Sequence, residues 1–147
     1  MKKYIYFLLA AAAMLFVGCS DDDESATVDQ GVVGEWQLIQ WNGDAADAFS
    51  VYLDLQSDGT FHLYQQVEYS YFEHYTGRFS ADGGVLEGRY TDGTAWSYGF
   101  AVTDGGYTLT LTDSKSQEVS VYTRTTVPEE VRATQVTRSQ TEGKRFL

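Results

Sequence analysis

The sequence predicts an all-β fold, an antiparallel eight-stranded up-and-down meander closed into a barrel, with a short C-terminal helical turn. Three observations predict it. From residue 31 to residue 126, alternating runs of apolar or aromatic and polar side chains follow one another without a helical period. Asp-Gly steps separate many of these runs: Asp58-Gly59, Asp82-Gly83-Gly84, Asp92-Gly93 and Asp104-Gly105-Gly106. Tight hairpin turns need positive φ, which Gly takes freely and Asp tolerates. The single proline, Pro128, leaves every run unbroken.

The chain of 147 residues has room for one domain. Residues 1–18 read as a leader: Lys2 and Lys3, then the apolar stretch 4–17, too short to span a bilayer comfortably. The leader ends in Phe16-Val17-Gly18-Cys19-Ser20, and Cys19 is the only cysteine. This resembles the lipobox of bacterial lipoproteins, which implies cleavage before Cys19 and a diacylglycerol on its sulfur. Two or three acyl chains there make attachment effectively permanent, because each buried methylene contributes about 0.8 kcal/mol. Residues 19–30 then form a lipidated tether, and its run Ser20-Asp21-Asp22-Asp23-Glu24 stays extended by self-repulsion. That run resembles the acidic export signal of Bacteroidota lipoproteins, implying an outer-membrane protein displayed at the cell surface.

The barrel domain is residues 31–127. Its eight strands are expected at 32–41, 49–56, 60–68, 70–80, 85–91, 94–103, 107–113 and 118–125. Phe49, Val51, Leu53 and Leu55 share a face, as do Phe61, Leu63 and Val67. So do Trp96, Tyr98, Phe100 and Val102, and Tyr107, Leu109 and Leu111. Consecutive strands with short turns run antiparallel. An open meander would leave two long exposed edges, and closure removes them. A barrel of this size is either filled by side chains or holds one small ligand. In the last part, residues 128–147, Thr126-Val127-Pro128-Glu129 reads as the start of a helix reaching about Ala133, followed by a polar disordered tail.

Charge narrows the function. The full chain carries a net −11; without Lys2 and Lys3, eight basic side chains face 21 acidic ones, a net −13. A phosphate backbone is repelled by such a surface, so nucleic acid is not a partner. Met1 and Met14 leave with the leader, and lipidation of Cys19, the one cysteine, leaves no thiol for disulfide, thiolate or Cys-metal chemistry.

Gly34-Glu35-Trp36 at the first strand resembles the Gly-x-Trp signature of lipocalins. The resemblance implies that Trp36 closes one barrel end with Arg124, from the last strand, lying across its indole. The order of Gly-x-Trp, Asp-Gly-Thr-Phe (58–61) and an aromatic-x-Gly-x-aromatic strand (Tyr75, Gly77, Phe79) is similar to short lipocalin-like domains of Bacteroidota lipoproteins. The second lipocalin signature, Thr-Asp-Tyr, is missing, although Tyr90-Thr91-Asp92 holds similar residues in another order. The domain is also shorter than a typical lipocalin, and its terminal helix looks too short and polar to pack along the barrel.

Candidate ligand contacts are the aromatic and apolar residues Trp41, Tyr52, Phe61, Leu63, Tyr71, Tyr75, Trp96 and Tyr98. Tyr64, Tyr69 and Phe72 add to the aromatic density of the third and fourth strands. Rings with polar tips suit amphipathic ligands, sugars or peptides, though strand packing favours the same residues. His62 and His74 sit at similar distances from the tip between those strands and could meet near Glu73 or Asp54. Two solvated histidines are the expected reading, with no metal or cofactor. The strand carboxylates Asp54, Glu68, Glu73 and Glu87 fit solvated faces, and no nucleophile elbow, zinc-protease motif or phosphate cradle is present. The chain is therefore expected to be a monomeric binder rather than an enzyme. Its ligand is a small apolar or amphipathic molecule in an open cup; alternatively, a filled barrel holds a protein or glycan on its outer face.

Overall fold

The computed structural model describes residues 27–133, 136–137 and 145–147, with the backbone alone at 136–137. The expected leader, Cys19, the acidic run and most of the expected tail lie outside the described residues. The strands are β1 (Gly34–Trp41), β2 (Asp44–Ala45), β3 (Ser50–Leu55), β4 (Thr60–Gln66), β5 (Glu73–Asp82), β6 (Val85–Tyr90), β7 (Ala95–Thr103), β8 (Thr108–Asp113), β9 (Val119–Thr125) and β10 (Val136–Thr137). One short helix, α1, spans Glu129–Ala133.

Eight strands form the barrel. Neighbours pair antiparallel in the order β5-β4-β3-β1-β9-β8-β7-β6, and β6 pairs back onto β5. First and last strands therefore join, with Trp36 opposite Arg124 and Leu38 opposite Tyr122. The wall has no unpaired strand left at its seam, as the edge-strand argument requires. β2 folds back on the end of β1.

The longest strand, β5, outruns both neighbours, and other parts of the chain cover what remains. At one end, Ala81 exchanges backbone hydrogen bonds with Thr27 and Asp29 (2.8 Å each). Residues 27–30, read from sequence as tether, are thus tied to the barrel. At the other end, β10 lies parallel to β5 at Glu73 and His74, on the edge left free because β6 stops opposite Gly77.

Period-two alternation places the core as the sequence pattern requires in most strands. Val51, Leu53, Leu55, Phe61, Leu63, Leu109 and Leu111 have no exposed surface. Two positions differ. Val67 is exposed because β4 ends at Gln66, and Gln65 takes the next inward place. Tyr107 is 64% exposed, since the chain turns through Asp104–Gly106 before β8 begins at Thr108.

The closed end is built around Trp36. Its Nε1–H donates to the Val32 carbonyl at 2.9 Å. The Arg124 guanidinium lies 4.3 Å from the indole centroid and donates to the carbonyls of Gly106 (2.8 Å), Val33 (2.9 Å) and Gly31 (3.3 Å). A Cβ on Gly34 would stand 2.1 Å from Arg124 Nη1, and the Gly34 φ of +145° is itself unfavourable for side chains. The Gly of the Gly-x-Trp triplet is there to let the guanidinium pass.

The helix packs, contrary to the sequence expectation. Val127 and Val131 are buried over the outward-facing Tyr64, with Tyr52 and Phe72 beside them. Arg132 reaches from α1 to Glu35, Asp54 and the Tyr64 hydroxyl. Next to Tyr64 stand His74 and His62, all three rings stacked (4.9 Å between Tyr64 and His74, 5.1 Å between the imidazoles). His62 Nδ1 and His74 Nε2 are 2.8 Å apart and share one hydrogen bond. Burial, with the neighbouring His62 second, pushes His74 down to about 4.

Two expectations follow for stability. Arg124→Ala removes three charge-assisted hydrogen bonds and the ring stack, and is expected to cost about 2–4 kcal/mol in denaturant unfolding. Gly34→Ala is also destabilising, but less so in the Arg124→Ala background, because the atoms its Cβ meets all belong to Arg124 and only the positive φ then opposes it. His74 has a folded value below its unfolded one, so its contribution is present above about pH 6.5. It is lost as pH falls toward 4, and solvent screening holds it to about 1–2 kcal/mol. The melting temperature of the native chain should therefore drop more between pH 7 and pH 4.5 than that of His74→Phe.

Candidate functional site

The other end of the barrel is the mouth. It is formed where β1 and β8 finish and where β3 and β9 begin. A half-open pocket of about 340 Å³ lies there, lined by Trp41, Phe49, Val67, Tyr98, Asp113, Glu118, Ser120 and the segment Arg145–Leu147. Trp41 reaches this pocket through a bulge. Pairing of β1 with β9 slips between Leu38 and Gln40, so Ile39 is extra and exposed, and Trp41 comes to lie opposite the inward-facing Ser120. Without that slip, the parity of Trp36 and Leu38 would turn Trp41 outward.

Below the mouth, the interior is filled. One cluster joins Val32, Trp36, Leu53, Phe61, Tyr90, Trp96, Leu109 and Tyr122. Phe61 meets Tyr90 and Trp96 edge-on at 5.3 and 5.2 Å. The Trp96 indole lies over Gly88, where a Cβ would come within 2.1 Å of the ring. The cup is therefore shallow, reaching inward as far as Tyr98.

Polar groups gather inside the barrel toward this end. Gln65 and Glu73 are buried side by side, Gln65 Nε2 donating to Glu73 at 3.4 Å and the Tyr75 hydroxyl donating to the same carboxylate at 3.2 Å. Burial and then Glu73 push Tyr75 up to about 12. Burial and then Asp113 and Glu118 do the same to Tyr98, also to about 12. Burial raises Tyr90 and Tyr122 as well. These four phenols stay protonated at neutral pH, as hydrogen-bond donors. Tyr122 Oη and Trp96 Nε1 are buried without a hydrogen-bond partner among the described residues.

The segment Arg145–Leu147 lies across the mouth. The Phe146 ring stands 5.9 Å from both Trp41 and Phe49. Its backbone N–H donates to Gln65 Oε1 at 2.8 Å, and the Tyr90 hydroxyl donates to the Leu147 carbonyl at 2.9 Å. Arg145 lies 4.0 Å from the Tyr90 ring centroid and 2.8 Å from Asp92. The Thr94 backbone N–H and then Arg145 hold the Asp92 carboxyl below its usual range. Reading this stretch as part of a polar tail missed it; Phe146-Leu147 was the available signal, an apolar pair after a long polar run.

The candidate ligand residues divide. Phe61, Leu63, Tyr75, Trp96 and Tyr98 face inward and Trp41 stands at the mouth. Tyr52 packs outside against Phe72, and Tyr71 stacks on Tyr69 at 5.1 Å in the β4–β5 loop, so neither lines the cup. Trp36 and Arg124 sit together at the opposite end. His62 and His74 meet on the outer face, while Glu73 points inward; among the described residues no group of three potential metal ligands forms. Asp54 binds Arg132 outside and Glu73 is inside, so these strand carboxylates do not converge. Sequence reasoning passed over Phe49 and Gln65 as site residues. A more open cleft of about 770 Å³ runs over exposed side chains such as Arg78, Glu87, Arg89 and Lys115, and also touches Leu147.

No protein-family model matches the chain, and no curated protein matches its sequence. Among solved structures, a lipocalin-like protein from Bacteroides uniformis is similar at 15% identity and a TM-score of 0.52, covering 65% of this chain and 99% of that one. An uncharacterized protein from Bacteroides eggerthii is 14% identical with a TM-score of 0.49, covering 63% of this chain and 98% of its own. Echinococcus granulosus fatty-acid-binding protein 1 is 11% identical with a TM-score of 0.40, covering 67% and 100%. At such identities the likeness speaks for fold alone, and the barrel is lipocalin-like.

Proposed function

We propose that this chain is a lipid-anchored lipoprotein of the outer membrane, held by Cys19, probing its surroundings with a cup that binds one small amphipathic molecule. The observation that carries the binding reading is the pocket of about 340 Å³ at the barrel mouth, lined by the rings of Trp41, Phe49 and Tyr98 and by the polar side chains of Asp113, Glu118 and Ser120. Its size falls at the lower end of small-molecule sites, which run from about 300 to 1,000 Å³. Apolar rings supply burial and the few convergent polar groups supply orientation. The anchor reading is supported by the leader, the position of the only cysteine and the acidic run after it. No step of bond making is assigned to the cup.

A second reading has one observation in its favour. Tyr69 and Tyr71 stack at the tip of the β4–β5 loop, and Tyr69 is 38% exposed. Such a platform suits a glycan or protein held outside the barrel.

Native mass spectrometry of the chain purified from its host tests the first reading, and a co-purified small molecule is expected. Trp41→Ala and Phe49→Ala should each weaken its retention about tenfold, the loss of one buried ring contact, whereas Tyr69→Ala should not. Retention lost only with Tyr69→Ala moves the site to the loop. For the anchor, globomycin should make uncleaved precursor accumulate, and Cys19→Ser should release the chain from membranes; unchanged processing in both rules the anchor out.

A further inference from the structure

Arg145–Leu147 already sits in the mouth, lining the space of about 340 Å³ that stays open beside it, and its contacts show what the mouth accepts. Arg145–Leu147 places a ring between Trp41 and Phe49, a donor on Gln65, an acceptor under the Tyr90 hydroxyl and a cation on Asp92 and the Tyr90 face. These contacts come from β1, β4, β6, the approach to β3 and the β6–β7 turn, so they converge from around the mouth rather than from one surface. Gln65, with no exposed surface, spends its side-chain oxygen on the Phe146 amide.

Charge points the same way. The pocket walls carry Asp113 and Glu118, the interior holds Glu73, and Asp92 stands at the adjoining turn. Among the described residues, Arg145 is the only cation lining the pocket. Once the segment leaves, the mouth is acidic. An ammonium or guanidinium group entering it gains what Arg145 had.

We propose that Arg145–Leu147 is a tethered occupant of the cup, and that the ligand displacing it is a cationic amphiphile carrying a ring or a branched apolar group. This rests on the reading of the mouth as a binding site and specifies its ligand class. The segment and the ligand compete for the same rings, the same Tyr90 hydroxyl and the same Asp92 carboxylate. A tethered competitor sets a threshold: only ligands whose binding exceeds the effective concentration of the segment enter.

Two dansyl probes of opposite charge test this, dansylcadaverine (cationic) and 11-(dansylamino)undecanoic acid (anionic). The chain from Ser20 onward, which keeps every described residue, is compared with the same chain ending at Lys144. It is also compared with full-length Phe146→Asp, which sets a carboxylate beside Asp113 and Glu118 without shortening the chain. Both altered chains should bind dansylcadaverine at least tenfold more tightly than the unaltered one and prefer it at least tenfold over the anionic probe. An acetylated Lys-Arg-Phe-Leu peptide should displace it from the chain ending at Lys144. Asp92→Asn in that chain should narrow the preference. Equal affinity with and without the segment overturns the occupant while leaving the cup as a site. Preference for the anionic probe overturns the ligand class. Failure of every chain to bind either probe, with thermal melts showing folded protein, removes the cup reading and this inference with it.

Discussion

Pairing of β1 with β9 is the constraint on which the rest of this molecule depends. Strand side chains alternate, so fixing the register of one seam fixes which side chains point inward all the way round. Trp36 opposite Arg124 and Leu38 opposite Tyr122 set that parity. Arg124 then acts at the seam itself: it satisfies three carbonyls at the closed end and covers the indole that plugs it. Without a guanidinium there, the indole would lose its cover and three carbonyls at this end would lose a charge-assisted donor. The seam also carries the one irregularity that makes a site. The slip at Ile39 turns Trp41 into the mouth, where the regular alternation would have sent it to solvent.

Much of the architecture was legible because two local signals agree with the global fold. Asp-Gly turns fix the hairpins, and uninterrupted alternation in β3 and β8 fixes the core face. Gly34 was legible through its triplet, and the structure supplies the reason, since the Arg124 guanidinium occupies the space of its missing side chain. Other features were hidden for physical reasons. A bulge leaves no mark in composition, so Trp41 was placed in the site as an aromatic and not as an inward residue. Glu73 read as solvent-facing because carboxylates usually are, and Gln65 drew no notice; both are buried because each finds a partner inside the barrel. Tyr52 and Tyr71 were drawn into the ligand set by aromatic density, a signal that outer-face packing produces equally well. The docked Arg145–Leu147 depends on contacts more than fifty residues away in sequence, to Tyr90, Asp92 and Gln65, which no local pattern encodes.

The distribution of polarity inside the barrel limits what the cup can hold. Toward the closed end the interior is Val32, Trp36, Leu55 and Leu109, without free polar atoms to serve. Toward the mouth come Tyr75, Tyr90, Tyr98, Ser120 and Tyr122, together with the buried pair Gln65 and Glu73. A purely hydrocarbon occupant would cover the rings but strand those donors and acceptors, forfeiting about 1–3 kcal/mol for each group left unpaired. A strongly polar occupant would waste the rings of Trp41 and Phe49. Only a molecule with both characters, arranged ring toward Trp41 and polar groups toward Gln65 and Tyr90, loses nothing on entering. The barrel's own Arg145–Leu147 has that arrangement, and the geometry of the mouth is intelligible as a surface shaped around such a partner.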